Sequence, residues 1–172
     1  QGRDWLQQLG SAAQIALVPG NHDACVTAPW DETFALWQDY MASDANTQYA
    51  HQSQETNPTA HTSNFPSLRV RGHIAFIGLS TACPTPPLMA TGTAGAQQLS
   101  QLPQLLENTR KDGLFRVVYL HHCPIAGQDK WRKRLTDAPA VQAMLAAHGV
   151  ELVLHGHGHR EHHLQMNTRD GV

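Results

Sequence analysis

Three times in this chain a short apolar run of strand length breaks off into side chains suited to metal or phosphate chemistry. That recurrence limits the fold more than any other feature. Ile15–Val18 runs into Pro19-Gly20-Asn21-His22-Asp23, Phe115–Leu120 into His121-His122-Cys123-Pro124, and Val150–Leu154 into His155-Gly156-His157-Gly158-His159. A short apolar run bounded by turn residues reads as a buried strand. Helical patterns alternate with these runs, so the sheet should be largely parallel with right-handed crossovers. Ligands in open α/β sheets bind off the carboxyl ends of the strands. All three clusters should therefore open on one edge.

The remaining elements follow from spacing and punctuation. Gln1–Leu9 reads as a helix closed by Gly10. Glu32–Met41 carries Phe34, Leu36, Trp37, Tyr40 and Met41 near helical spacing, with core packing as their expected role. Ser43–Asn64 is polar and aperiodic, a long loop holding His51 and His61. Phe65–Val70 and His73–Leu79 form a hairpin turning at Arg71-Gly72. Gly95–Arg110 is a leucine-spaced helix with Pro103 inside it, so a kink or a late start is expected. Asp137 is placed to cap a helix that begins at Ala138 or Pro139 and ends at Gly149. His162–Met166 reads as the start of one more strand.

Composition removes several function classes. At 172 residues, with 41% hydrophobic and 15% charged residues, the chain is globular and of single-domain size. A net charge of −2 makes no electrostatic case for nucleic acid or an anionic membrane. No run approaches the roughly 20 apolar residues of a membrane-spanning helix. Cys25, Cys83 and Cys123 form no C-x-x-C pair, and free thiols fit the cytoplasm. The odd total is histidine, whose 12 residues equal the lysines and arginines together.

The residue types at the strand ends suit divalent metals held by nitrogen and oxygen, with no thiolate signature. Two imidazoles one residue apart, His157 and His159, can reach two neighbouring ions, and the glycines between and before them should let the backbone turn sharply. A two-metal site can activate a hydroxide and neutralise both the attacking and the leaving oxygen at phosphorus. Asn21 would add a neutral ligand. Asp23 either orients His22 and keeps it protonated, so that His22 can donate to the leaving group, or caps a helix starting at Ala24. His122 is expected beside the ligands rather than among them. The basic cluster Lys130–Arg134 reads as a solvated surface.

Gly20-Asn21-His22-Asp23, His121-His122-x-Pro124 and Gly156-His157-x-His159, in this order, resemble the motifs of the calcineurin-like metallophosphoesterase family, most closely its bacterial phosphodiesterases. The resemblance implies two packed mixed β-sheets flanked by helices in four layers, α/β in class, over residues 1–172. It implies two divalent cations such as manganese, iron or zinc. Asn21, His121 and His157 would hold one, and His159 the other. His22 would be the catalytic histidine, with Asp23 beside it. The substrate would be a small-molecule phosphoester, and Ser43–Asn64, Cys83–Thr93 and Ala126–Thr136 are the loops expected to select it.

The departures from the family pattern shape the expectation. The family's Asp-x-His and Gly-Asp-x-x-Asp motifs do not occur in this sequence, which starts at Gln1, so the chain reads as a fragment lacking the first strand-helix units. On its own such a fragment is expected to be nearly inactive. Cys123 stands where the family has a proline, which would alter the loop or bring a thiol near the metals. The alternative reading is a non-catalytic metal-binding or scaffold fragment of the same fold.

Overall fold

The computed structural model describes residues 2–29, 32–44 and 64–168. Its elements are α1 (Gly2–Leu9), a 3-10 helix (Phe34–Tyr40), β1 (Ser67–Arg71), β2 (Ile74–Leu79), α2 (Gly95–Lys111), β3 (Phe115–Leu120), α3 (Ala138–His148) and β4 (Leu152–Leu154). The strands form one mixed sheet in the order β1-β2-β3-β4. The hairpin is antiparallel, from Ser67 opposite Gly78 to Arg71 opposite Ile74. β2 and β4 both run parallel to β3, with Leu79 beside Leu120 and Leu154 beside Tyr119. Parallel neighbours end on the same edge, so the segments after β3 and β4 emerge side by side.

The helices α2 and α3 cover one face. Ile77 and Leu79 from β2 and Val118 and Leu120 from β3 pack with Leu102, Leu105 and Leu106 of α2 and Val141 and Leu145 of α3. These positions alternate along the strands, as the two-residue period of a pleated sheet requires. Pro103 lies inside α2 without ending it. Gly149 closes α3 at φ 70°, a backbone region open to glycine without strain.

Several expectations are corrected. Ile15–Val18 forms no strand; the Leu17 amide instead bonds the Tyr40 carbonyl at 3.1 Å. Leu17 and Val18 pack in a second cluster with Ala24, Phe34, Met41, Phe65 and Ala82, so their hydrophobicity fills a core without building a sheet. The α/β class itself holds: the described residues form one four-stranded mixed sheet with helices. The Glu32–Met41 helix is a 3-10 segment broken at Trp37, whose φ of −139° is not helical. β4 is not buried: among the described residues it pairs only with β3, and Leu152 and Leu154 remain 42% and 49% exposed. His162–Met166 makes no strand. His51, His61 and most of the Ser43–Asn64 loop lie outside the described residues. Among the described residues no helix is long and apolar enough to cross a membrane.

Asp137 occupies the N-cap position of α3 but does not cap that helix. Its carboxylate accepts from the Ala94 and Gly95 amides at 3.1 and 2.8 Å and from the Thr93 hydroxyl at 3.0 Å, so it caps α2 from 42 residues away. The reason is local: Ala94 at the start of α2 has no side-chain acceptor, and unsatisfied amides at a helix start need one.

Arg116, 2% exposed, joins β3 to the start of β4. Its guanidinium donates to both Glu151 carboxylate oxygens at 3.0 and 2.6 Å and to the His148 carbonyl at 3.1 Å. The Arg116 amide also donates to Glu151. Burial pulls the Glu151 carboxyl up, but the hydrogen bonds and charge of Arg116 outweigh it, leaving Glu151 below the ordinary carboxylate range. Glu151→Gln is expected to lower the unfolding free energy by about 1.5–3 kcal/mol at neutral pH, the range for hydrogen bonds to a charged group. A depressed carboxyl stabilises above its unfolded-state value and loses that stabilisation as pH falls through the folded one. The gap between wild type and E151Q in urea unfolding should therefore shrink below about pH 4.5, the ordinary value. A gap that stays constant into acid would contradict this ion pair as its source.

Candidate metal centre

The centre lies where β3 and β4 end and where the loop after Val18 crosses them. His121 and His122 follow β3 directly. The Gly156 amide, just past β4, donates to the His121 carbonyl at 3.0 Å and locks the two strand ends together. Three donor atoms then converge from separate parts of the chain. Asn21 Oδ1 lies 2.9 Å from His121 Nε2, His121 Nε2 lies 3.1 Å from His157 Nδ1, and His157 Nδ1 lies 3.1 Å from Asn21 Oδ1.

This triangle suits a cation. Ligand atoms about 2.1 Å from a metal stand about 3.0 Å apart when they are neighbours on an octahedron and about 3.4 Å apart on a tetrahedron. The observed edges match the first. Imidazole and amide ligands bind as neutral groups, and the site keeps its imidazoles neutral. Burial, then the neighbouring His157, lowers the proton affinity of His121; Asp23 opposes this, while His22 and His159 reinforce it. Burial also lowers His157, with Asp129 pulling the other way, the Lys133 charge adding to the fall and the Lys133 carbonyl opposing it.

Two glycines make the packing possible. A Cβ on Gly20 would stand 2.8 Å from the His121 ring, so the asparagine loop can lie flat on that imidazole only with glycine there. A Cβ on Gly92 would fall 2.3 Å from His122 Nδ1 and 2.4 Å from the Thr81 carbonyl. The glycines of the His155–His159 loop play a different part from the one expected. The left-handed backbone is carried by His157 and His159 themselves, at φ 64° and 51°. Such angles are uncommon outside glycine and mark strain held by the surroundings.

Each predicted site residue has a definite place. Asn21 and His157 are buried, at 6% and 9% exposure. His121 is half-buried, and His22, Asp23 and His159 are exposed. Asp23 does neither thing expected of it. No helix follows, and no hydrogen bond joins it to His22; its carboxylate accepts from the Gly20 amide at 2.7 Å and shapes the loop that presents Asn21.

His122 has a ring nitrogen near those of His121 and His157, all within 4.8 Å, which makes it a third candidate ligand by proximity. Its hydrogen bonds argue otherwise. Nε2 lies 3.2 Å from the Ala90 carbonyl, which can only accept, so Nε2 carries the proton; Nδ1 then accepts from the Thr81 hydroxyl at 2.7 Å. With both nitrogens engaged, His122 is a fixed neutral wall behind His157, their ring centroids 4.4 Å apart. Burial, then His157 and His121, push its pKa down to about 3.

The sequence reading missed how two expected specificity loops are joined. The Ala90 and Gly92 amides donate to the Arg132 and Arg134 carbonyls at 2.8 and 3.2 Å, and the Thr136 amide returns to Gly92 at 2.8 Å. Ala90 in turn holds His122. No local pattern in either loop signals this, because the pairing needs the fold to bring them together. Lys130 and Arg132 to Arg134 are exposed as expected, with Arg132 over the Trp131 ring at 5.2 Å. Cys123 is 5% exposed, and burial raises its pKa, so it packs as a protonated thiol; Cys25 is exposed.

A family model described as calcineurin-like phosphoesterase matches residues 3–161. No curated protein matches the chain.

Proposed function

Because the chain belongs to the calcineurin-like phosphoesterase family, whose members are metal-dependent hydrolases of phosphoric esters, we propose that it acts as a phosphodiesterase through a centre of two divalent cations. Asn21, His121 and His157 bind one cation, and His159 faces the other. The observation that supports this most directly is the triangle of donor atoms, with edges of 2.9, 3.1 and 3.1 Å. When bound, the cations supply Lewis acidity and a nucleophile at neutral pH. The chain's own residues do the rest. Asn21 and the two imidazoles bring no negative charge to the site, which spares a phosphate substrate repulsion. Asp23 holds the Gly20–Asp23 turn and so the aim of Asn21. His22, exposed beside the centre, is free to meet the substrate and to give a proton to the leaving oxygen.

Calorimetric titration with Mn²⁺ tests the first cation site in this chain. His121→Ala is expected to weaken binding at least about a hundredfold, since even outer-shell partners of metal ligands are worth 10–100-fold. Hydrolysis of bis-p-nitrophenyl phosphate with Mn²⁺ tests the reaction, and His22→Ala should remove most turnover while leaving Mn²⁺ binding in place. Unchanged Mn²⁺ affinity in H121A would overturn the ligand set. Full turnover in H22A would overturn the proton-donor role alone.

A further inference from the structure

The connection between β3 and α3 passes over the outer side of His157, and it carries one carboxylate that the proposed chemistry does not use. His157 presents Nδ1 to Asn21 and His121, so Nε2 points away from the centre. That Nε2 is buried and makes no well-formed hydrogen bond, although the Lys133 carbonyl acts on the ring. Asp129 comes to the same place. Its Oδ1 stands 3.8 Å from where a Cβ on Gly158 would lie, one residue from His157, and its Oδ2 is also buried without a partner. An orphaned ring nitrogen and an orphaned carboxylate oxygen thus flank the same turn. Buried polar groups in folded proteins nearly always have partners, so two orphans beside one strained residue need an account.

We propose that Asp129 is a positioning residue for His157, holding the outer nitrogen of the imidazole so that Nδ1 stays aimed at Asn21 and His121 when a cation binds. The inference rests on the metal-centre reading above. The chemistry is general: a histidine that ligates through one nitrogen donates the N–H of the other to a carboxylate or carbonyl, which fixes tautomer and ring orientation and strengthens the ligand. Asp129 draws protons toward His157, as the Lys133 carbonyl also does, while burial and the Lys133 charge repel them. The role has a backbone reason as well. His157 sits at φ 64°, and a side chain on a left-handed residue needs outside contacts to keep its direction. The Lys133 carbonyl lies on the same side and is the competing candidate.

The test compares wild type with Asp129→Asn, Asp129→Ala and Asp129→Glu. Each is titrated with Co²⁺ against a chromophoric chelator, and the visible spectrum of the Co²⁺ complex is recorded. Urea unfolding of the metal-free proteins runs in parallel. The expected result is a 10–100-fold weaker Co²⁺ affinity in D129N and D129A, with shifted absorption bands, partial recovery in D129E and nearly unchanged metal-free stability. Wild-type affinity and spectrum in D129N would overturn the proposal and leave the orientation of His157 to the Lys133 carbonyl, which every variant retains. Equal losses of metal-free stability and no change in Co²⁺ affinity would make Asp129 a structural residue only, and also overturn it. Failure of the wild type to bind Co²⁺ at all would instead bring down the metal centre itself, and this inference with it. D129N, which keeps the side-chain shape, guards against a D129A that does not fold.

Discussion

Replacing Arg69 by methionine is expected to lower the unfolding free energy by about 4 kcal/mol or more, at the upper end of what a single substitution does. Arg69 is 5% exposed and sits on β1 between Leu68 and Val70, so it points to the sheet face opposite the helices. There, among the described residues, its guanidinium donates only to backbone carbonyls. Nε bonds Ala42 at 2.9 Å, Nη1 bonds Ile15 at 2.7 Å and also Ala12, and Nη2 bonds Asp39 at 2.7 Å. Each charge-assisted bond is worth about 1.5–3 kcal/mol, and water reaching some of the freed carbonyls reduces the sum. Methionine keeps much of the apolar stem and offers none of the donors. The consequence extends to the metal centre, because residues 12–15 lead directly into the loop that presents Asn21. R69M should thus lose both stability and Mn²⁺ affinity, and hydrogen exchange should quicken across residues 12–21 before it does in α2. An unfolding free energy within 1 kcal/mol of wild type would remove Arg69 as the clamp, since four bonds to a buried cation are worth well over roughly that much.

The metal-free protein is expected to lose roughly 2 kcal/mol of stability between pH 6.5 and 4.5 through His122 alone. Its pKa is about 3 in the folded chain against an ordinary 6.5. In that window the unfolded chain takes up a proton and the folded one does not. Stability then falls as pH falls, by up to about 1.4 kcal/mol per pH unit. Well above 6.5 the ring is neutral in both states and contributes no slope. His121 and His157 are depressed as well and act in the same direction. The cause is geometric: the proton on His122 Nε2 is already given to Ala90, and Nδ1 can be protonated only by turning away the Thr81 hydroxyl, with no access to water. Urea midpoints in chelator at several pH values measure the effect. His122→Gln should be less stable at neutral pH but much flatter from pH 6.5 to 4.5. The same slope in both proteins would show that another group is responsible. The Glu151 contribution does not interfere, because it disappears only below the ordinary carboxylate value of 4.5.

Local patterns in the chain reveal much of this. β3 occupies the same six residues in the structure as in the sequence reading, because Phe115–Leu120 is rich in β-branched and aromatic residues and is followed by a pair of histidines. The hairpin and both long helices also follow from periodicity and from glycine at their ends. The clusters after β3 and β4 were legible as neighbours because parallel strands end on one edge, whereas the Asn21 cluster arrives there by a loop. Ile15–Val18 misled for a physical reason. An apolar run reports burial, and burial against Phe34 and Phe65 satisfies it as well as a sheet does.

What the sequence by itself determined is the chemistry available: neutral nitrogen and oxygen donors after the strands, and the motif order of a phosphoesterase. What only the tertiary structure decided is which donors face one another and what holds them. Asn21 and His157 are 136 residues apart and meet at 3.1 Å. Asp137 caps α2 rather than its own helix, Arg69 binds carbonyls up to 57 residues away, and both ring nitrogens of His122 are engaged by Thr81 and Ala90. Such contacts have no local signature, because a hydrogen-bond partner is chosen by proximity in space, and a polar side chain looks the same in sequence whether it binds a metal, a backbone or water.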